Sequence, residues 1–170
     1  MSELSELKLG VSDTLLELGS CEENREVALS MAQQSRRTIE IVSRLLDPPI
    51  YNTTEFIEAI KSFVTGSRNP MLRVIVFDPD TIVRNGHRLV ELAGSLSSFV
   101  EIRKVGHEYD QYSQSLMIAD GTAYLHRIST DRYEATACFN DRRQASYYRK
   151  EFDTMWETAR TDPKLRRMYL

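Results

Sequence analysis

Three turns of this chain gather side chains that could hold an anion. Arg44 and Asp47 follow an extended stretch at 38–42, with Tyr51 a few residues on. Asp78 and Asp80 follow a second such stretch at 72–77, and Arg84, His87 and Arg88 lie in the helical segment after it. In an open α/β sheet, ligands settle beyond the carboxyl ends of parallel strands, so these residues are expected to converge there. Arginine, histidine and a helix start all suit a small anionic ligand. The competing reading is ion pairing, with Asp47 or Asp78 held by Arg84 or Arg88 to fix the loops, and a packed role for His87 beside Gly86. A second basic group, Arg142, Arg143, Arg149 and Lys150, opens the last long helix, either as a solvated face or as a contact to an anion or nucleic acid. His107 and His126 lack companions at metal-ligand spacing, and Cys21 and Cys138 stand far apart. No metal and no cofactor are expected.

The elements that must position these residues follow from periodicity. Val27, Ala28, Met31 and Ala32 mark one helical face between residues 22 and 36, and the alternating, β-branched TIEIV at 38–42 reads as a strand. Asp47-Pro48-Pro49 ends it. Asn52 and Glu55 have the spacing of a capping box for a helix carrying Phe56, Ile57, Ile60, Phe63 and Val64. The run LRVIVF at 72–77 is apolar throughout, as in a strand covered on both faces. A second amphipathic helix is predicted over 82–97 and a strand over 99–103. Three further strands are predicted at 116–119, 123–128 and 135–139, then a long helix over 141–160 and a tail carrying Leu165 and Leu170. This order predicts an α/β fold, a mixed β-sheet with helices on both faces. Residues 1–20 read as a flexible arm and 21–170 as a single domain.

Composition narrows the function classes. The 170 residues are 41% hydrophobic and 28% charged, ordinary for one globular domain and unlike a disordered chain. A net charge of −3 does not favour strong non-specific nucleic-acid binding, so nucleic acid is not an expected partner unless a local basic patch provides it. No apolar run reaches the ~18 residues of a membrane span, and the first residues lack a secretory pattern. A reduced, cytoplasmic protein is expected.

One stretch carries a resemblance. Residues 113–121 read Ser-Gln-Ser-Leu-Met-Ile-Ala-Asp-Gly. This resembles the His-x-Lys-x₄-Asp frame of the phospholipase D superfamily, with Ser113 at the histidine position, Ser115 at the lysine position, and Asp120 with Gly121 retained. LRVIVFD is similar to that family's "VRVLVFD" strand. Ala137-Cys138-Phe139-Asn140 stands where Gly-Ser-x-Asn is typical, which makes Asn140 a motif position. The resemblance covers roughly residues 22–160 and implies a phospholipase D-like layered sandwich. The chain is also similar to a bacterial family of uncharacterised domains marked by DPPIYN, NGHRLVELA and FND.

In active members of the superfamily the histidine attacks phosphorus, while the lysine and asparagine stabilise the transferring phosphoryl group. Serines at 113 and 115 supply neither, so the resemblance implies a pseudoenzyme acting as a binding or regulatory module. The superfamily builds its site from two half-units, which implies a homodimer here. A small anionic ligand or a protein partner is expected at the loops. The alternatives are an enzyme of different chemistry using Asp78, Asp80, Arg84 and His87, or a nucleic-acid accessory protein using Arg142–Lys150.

Overall fold

The computed structural model describes residues 3–166, with the side chain of Arg166 excepted; Leu170 of the expected tail lies outside the described residues. The strands are β1 (Leu16–Leu18), β2 (Thr38–Val42), β3 (Met71–Val76), β4 (Val100–Lys104), β5 (Ser115–Ala119), β6 (Ala123–Arg127) and β7 (Ala135–Cys138). The helices are α1 (Cys21–Gln34), α2 (Pro48–Tyr51), α3 (Thr54–Gly66), α4 (Pro79–Asn85), α5 (Arg88–Ser95), α6 (Arg142–Thr158) and α7 (Pro163–Arg166). One seven-stranded sheet has the order β1-β7-β6-β5-β2-β3-β4. β2, β3 and β4 run parallel, whereas β5 lies antiparallel to β2, and β6, β7 and β1 continue antiparallel. The expected mixed sheet with helices on both faces is the observed architecture.

Alternation along the strands sorts the two faces. Ile39, Ile41, Val74, Val76, Met117 and Leu125 look into the larger core with Val27, Met31, Phe56, Ile60 and Leu89 of α1, α3 and α5. Val42, Ile75, Leu116 and Ile118 point the other way, into a smaller cluster with Ala145, Phe152 and Met155 of α6. α6 is thus the main cover of its face.

Several boundaries differ from the sequence reading. The expected helix over 82–97 is two helices, because Gly86 sits at φ +77 and His87 starts a new one as its N-cap. The cap of α3 is Thr53, whose hydroxyl accepts from the Phe56 N–H at 3.1 Å; Asn52 instead accepts from the Arg88 backbone N–H, also at 3.1 Å. β2 does end ahead of Asp47-Pro48-Pro49, and prolines 48 and 49 also open α2, since their fixed φ and missing N–H are tolerated in a first helical turn.

The arm expected over 1–20 is not loose where it is described. Leu16–Leu18 pairs with β7 as the last strand of the sheet, Gly10 N–H donates to Phe139 O at 2.8 Å, and Gln34 bonds both Leu9 N–H and Leu7 O. An apolar edge at β7 and an otherwise unpaired ladder supply the driving force. Among the described residues no helix is long and apolar enough to cross a membrane.

Candidate functional site

Strand direction decides which motif residues meet. Ser115 starts β5 and faces Arg127 at the end of β6, and Thr130 N–H donates to Ser113 O at 2.8 Å. Ser113 and Ser115 therefore share one end of the sheet with Ile128–Thr130 and with the loop after β2. β7 runs in the same direction as β5, so Asn140, just beyond its last residue, lies at the opposite end, beside the Asp120–Gly121 turn: Asp141 N–H donates to Thr122 O at 2.9 Å. The expected meeting of Asn140 with Ser113 and Ser115 does not occur. One strand reversal returns the chain to the serine end, where Ser129–Thr130 lies alongside the serines, and a second carries it away again along β7.

Asp120 has a structural task at the far end. It adopts φ +54 in a tight turn with Gly121 at φ +63. Its carboxylate accepts from three consecutive backbone N–H groups, those of Arg36, Arg37 and Thr38, at 2.7–3.1 Å, and so locks the entry of β2 to the exit of β5. An Asp120→Asn variant keeps the tolerance for positive φ but loses the charge and half of the acceptors. We expect a loss of about 1–2 kcal/mol in urea unfolding with the fold retained.

The Ser115 end is densely engaged. Ser115 is 3% exposed and donates to Val42 O at 3.2 Å, and its side chain also hydrogen-bonds the buried Tyr51 of α2. Burial pushes the Tyr51 phenol up from its ordinary range. Arg127, which the sequence reading did not single out, is also 3% exposed. Its guanidinium pairs with Asp47 through Nη1, donates to Arg132 O at 2.9 Å and Thr130 O at 2.8 Å, and lies over the Tyr133 ring. A cavity of about 90 Å³ remains, lined by Ser43, Arg44, Ser115, Arg127, Thr130 and Asp131 among others. At roughly 30 Å³ per water this is room for about three waters, not for a substituted phosphodiester. Arg44 at its rim donates to Tyr112 O at 2.8 Å and stacks on Phe77 at 4.7 Å.

The other loop residues are engaged separately. Asp78 caps α4, accepting from Thr81 N–H and Oγ1, and these bonds hold its carboxyl below the usual range. Asp80 pairs with Lys164 at 2.6 Å, and Arg84 donates to Thr81 Oγ1 at 3.0 Å. Arg88 is spent on Asn52 and Thr54. His87 is buried, its Nδ1 accepting from Leu89 N–H at 3.1 Å and its Nε2 2.8 Å from Leu46 O, the bonding of a neutral ring. Burial pulls its pKa down to about 4. Of the residues expected to converge, Arg44, Asp47 and Tyr51 meet at the Ser115 end, and Asp78, Asp80, Arg84, His87 and Arg88 serve caps and pairs of their own. A larger hollow of about 550 Å³, along α5 and β4, holds none of them. Among the described residues no group of three or more histidines, cysteines or acids is arranged to hold a metal.

The sequence reading also missed Glu40 on β2. It is fully buried under α6, and neither carboxylate oxygen has a hydrogen-bond partner, with Arg73 Nη2 at 3.6 Å and Arg149 Nη2 at 3.9 Å. Burial raises its pKa to about 7, against the pull of the two arginines. Arg73 in turn stacks on Phe152 and Trp156 and bonds Asp153 at 3.0 Å.

A family model described as Domain of unknown function (DUF7931) matches residues 20–168. The chain belongs to that family. No curated protein matches this DUF7931 domain in sequence. Its fold is similar to several solved structures. Nuc from Salmonella typhimurium, a phospholipase D family member, is 14% identical with a TM-score of 0.59, over 86% of this chain and 96% of that one. NucT from Helicobacter pylori is 14% identical with a TM-score of 0.61, over 88% and 98%. TrmBL2, an archaeal chromatin protein whose structure shows a novel mode of DNA binding, is 13% identical with a TM-score of 0.66 over 92% of this chain. The DUF7931 domain spans only 56% of the TrmBL2 chain. At these identities the likeness is one of fold.

Proposed function

We propose that this domain is a non-catalytic phospholipase D-like module that acts by binding or regulation. The environment of Ser115 carries the reading. Its hydroxyl is buried and bonded to Val42 O and Tyr51, and the Arg127–Asp47 pair fills the space beside it. A serine nucleophile needs a base to take its proton. His126, across from Leu116 on the neighbouring strand, is no such base: its Nε2 lies 2.7 Å from Gln114 Oε1, and its ring stacks on Tyr148 of α6, on the other face of the sheet. The test is hydrolysis of bis(p-nitrophenyl) phosphate and of phosphatidylcholine vesicles. No turnover above the uncatalysed rate is expected, and none from Ser113→His/Ser115→Lys, because Arg127 and Tyr51 still occupy the reactive space. Wild-type turnover that vanishes in Ser115→Ala would sink the reading.

The same end of the sheet is proposed to face a second copy. Leu45, which lines the cavity, is 40% exposed, and Ile128, directly after Arg127, is 75% exposed, so two apolar side chains stand in solvent at this end. Light scattering is expected to give a dimer that Ile128→Asp dissociates; a strict monomer at high concentration overturns it. A second reading, a nucleic-acid accessory role, draws support from the fold shared with TrmBL2 and from a concentration of arginines at the far end of the sheet.

A further inference from the structure

Three separate segments bring arginines to one end of the sheet, the end away from Ser115. Arg36 and Arg37 lead into β2, and Arg68 precedes β3, whose Met71 N–H donates to Arg37 O at 3.1 Å. Because β2 and β3 are parallel, their starts coincide. β5 ends there at Asp120, and β7 ends there too, delivering Arg142 and Arg143 at the start of α6. Arg149 leans toward the same place, its Nη1 3.0 Å from where a Cβ on Gly121 would stand. Arg36, Arg37, Arg68, Arg142 and Arg143 are all exposed. Among the described residues none of these five has an ion-pair partner. The two nearby carboxylates are occupied, Asp120 by backbone N–H groups and Asp141 by the Gln144 N–H that it caps.

Exposed aromatic rings bracket this row. Phe99 is 37% exposed, and its carbonyl accepts from Leu72 N–H at 2.8 Å, which puts it at the same end beside β3. Tyr147, one turn beyond Arg143 on α6, is 62% exposed. From β7 to β3 the sheet steps four strands, or about 19 Å at ~4.8 Å per strand. The Arg37 guanidinium donates to Asp120 O at 3.1 Å, a neutral carbonyl, so in a chain of net charge −3 these five guanidiniums without an ion-pair partner concentrate positive potential at one edge.

We propose that this edge binds single-stranded nucleic acid, with the arginines on successive phosphates and Tyr147 and Phe99 stacking on bases. Arginines that track a backbone beside aromatic platforms are the common means of holding single strands without reading sequence. The inference rests on the nucleic-acid reading above and adds to it the surface and the strandedness. It is independent of the Ser115 end.

The test is fluorescence anisotropy of a labelled dT oligonucleotide of about 20 nucleotides and of a duplex of equal length. With five phosphate contacts, binding of the single strand is expected to weaken about tenfold when salt doubles from roughly 50 to 100 mM. Arg142→Glu/Arg143→Glu and Arg36→Glu/Arg68→Glu are each expected to weaken it at least about tenfold. Lys61→Glu on α3 should leave binding unchanged. Glutamates at the start of α6 also suit the helix dipole, so circular dichroism should show an intact fold. Tyr147→Ala should weaken the single strand by about fivefold or more and the duplex hardly at all. No binding by the wild type at low salt would remove the nucleic-acid reading and the surface together. Binding that the arginine variants leave untouched would keep the reading and overturn this surface. Duplex binding as tight as that of the single strand would overturn the strandedness.

Discussion

Replacing Asp47 by alanine is expected to cost about 3–5 kcal/mol of stability, among the largest effects a single side chain here can have. The reason is asymmetry. The Arg127 side chain is only 4% exposed and that of Asp47 26%, so removing the acid strands a charge that water cannot reach. The guanidinium keeps the Arg132 and Thr130 carbonyls, which offset part of the loss but carry no charge. Arg127→Met is expected to cost less, about 2–3 kcal/mol, because the carboxylate left behind is partly hydrated. The double variant should cost less than the two single changes together, because the stranded charge is gone. Urea unfolding of the three variants measures the coupling. Equal effects from both single changes with strict additivity would mean that the pair does not act as a unit.

Glu40→Gln is expected to remove a pH dependence rather than a contact. Glu40 has a folded pKa of about 7 against an ordinary 4.5. With its pKa raised by folding, the group contributes stability below pH 4.5 that is lost as pH rises through 7. Wild-type stability should therefore fall between about pH 5 and pH 8 by up to about 3 kcal/mol more than that of Glu40→Gln. The charges facing it are Arg73 from β3 and Arg149 and Asp153 from α6. α6 is the main cover of this face, so the change should show in amide exchange of α6 before that of α3. Parallel stability curves for wild type and variant across this range would show that the carboxylate is solvated or fully compensated.

These two sites were the least legible parts of the sequence, for different reasons. Glu40 sits in TIEIV, where strict alternation reads as one apolar and one wet face. What sequence periodicity does not reveal is that α6, a hundred residues on, dries the second face. Arg127 is a single arginine at a strand end and leaves no periodic trace; only the β5–β6 register puts it opposite Ser115. By contrast β2, β3 and α3 were readable almost to the residue, because β-branched runs and a helical stripe record burial directly. The break at Gly86 was missed because Ile82, Leu89 and Val90 keep an apolar pattern across it. Asn140 was placed at the wrong end because spacing along a chain does not count strand reversals. The loop residues looked convergent for the same reason: they follow parallel strands, but caps and local pairs claim Asp78, His87 and Arg88.

The strand at Leu16–Leu18 has a consequence in time. Among the described residues its one ladder partner is β7, and Leu16 meets Ala137 across roughly 120 residues of sequence. During synthesis this segment leaves the ribosome before the other six strands of the sheet, yet its partner β7 follows only after nearly the whole domain. The sheet can grow outward from β2, β3 and β5 while its first-made strand waits. Protection of the Leu16–Leu18 amides in pulse-labelled refolding should accordingly appear after that of β2 and β3, so that the first of the sheet's strands in chain order is among the last to find its place.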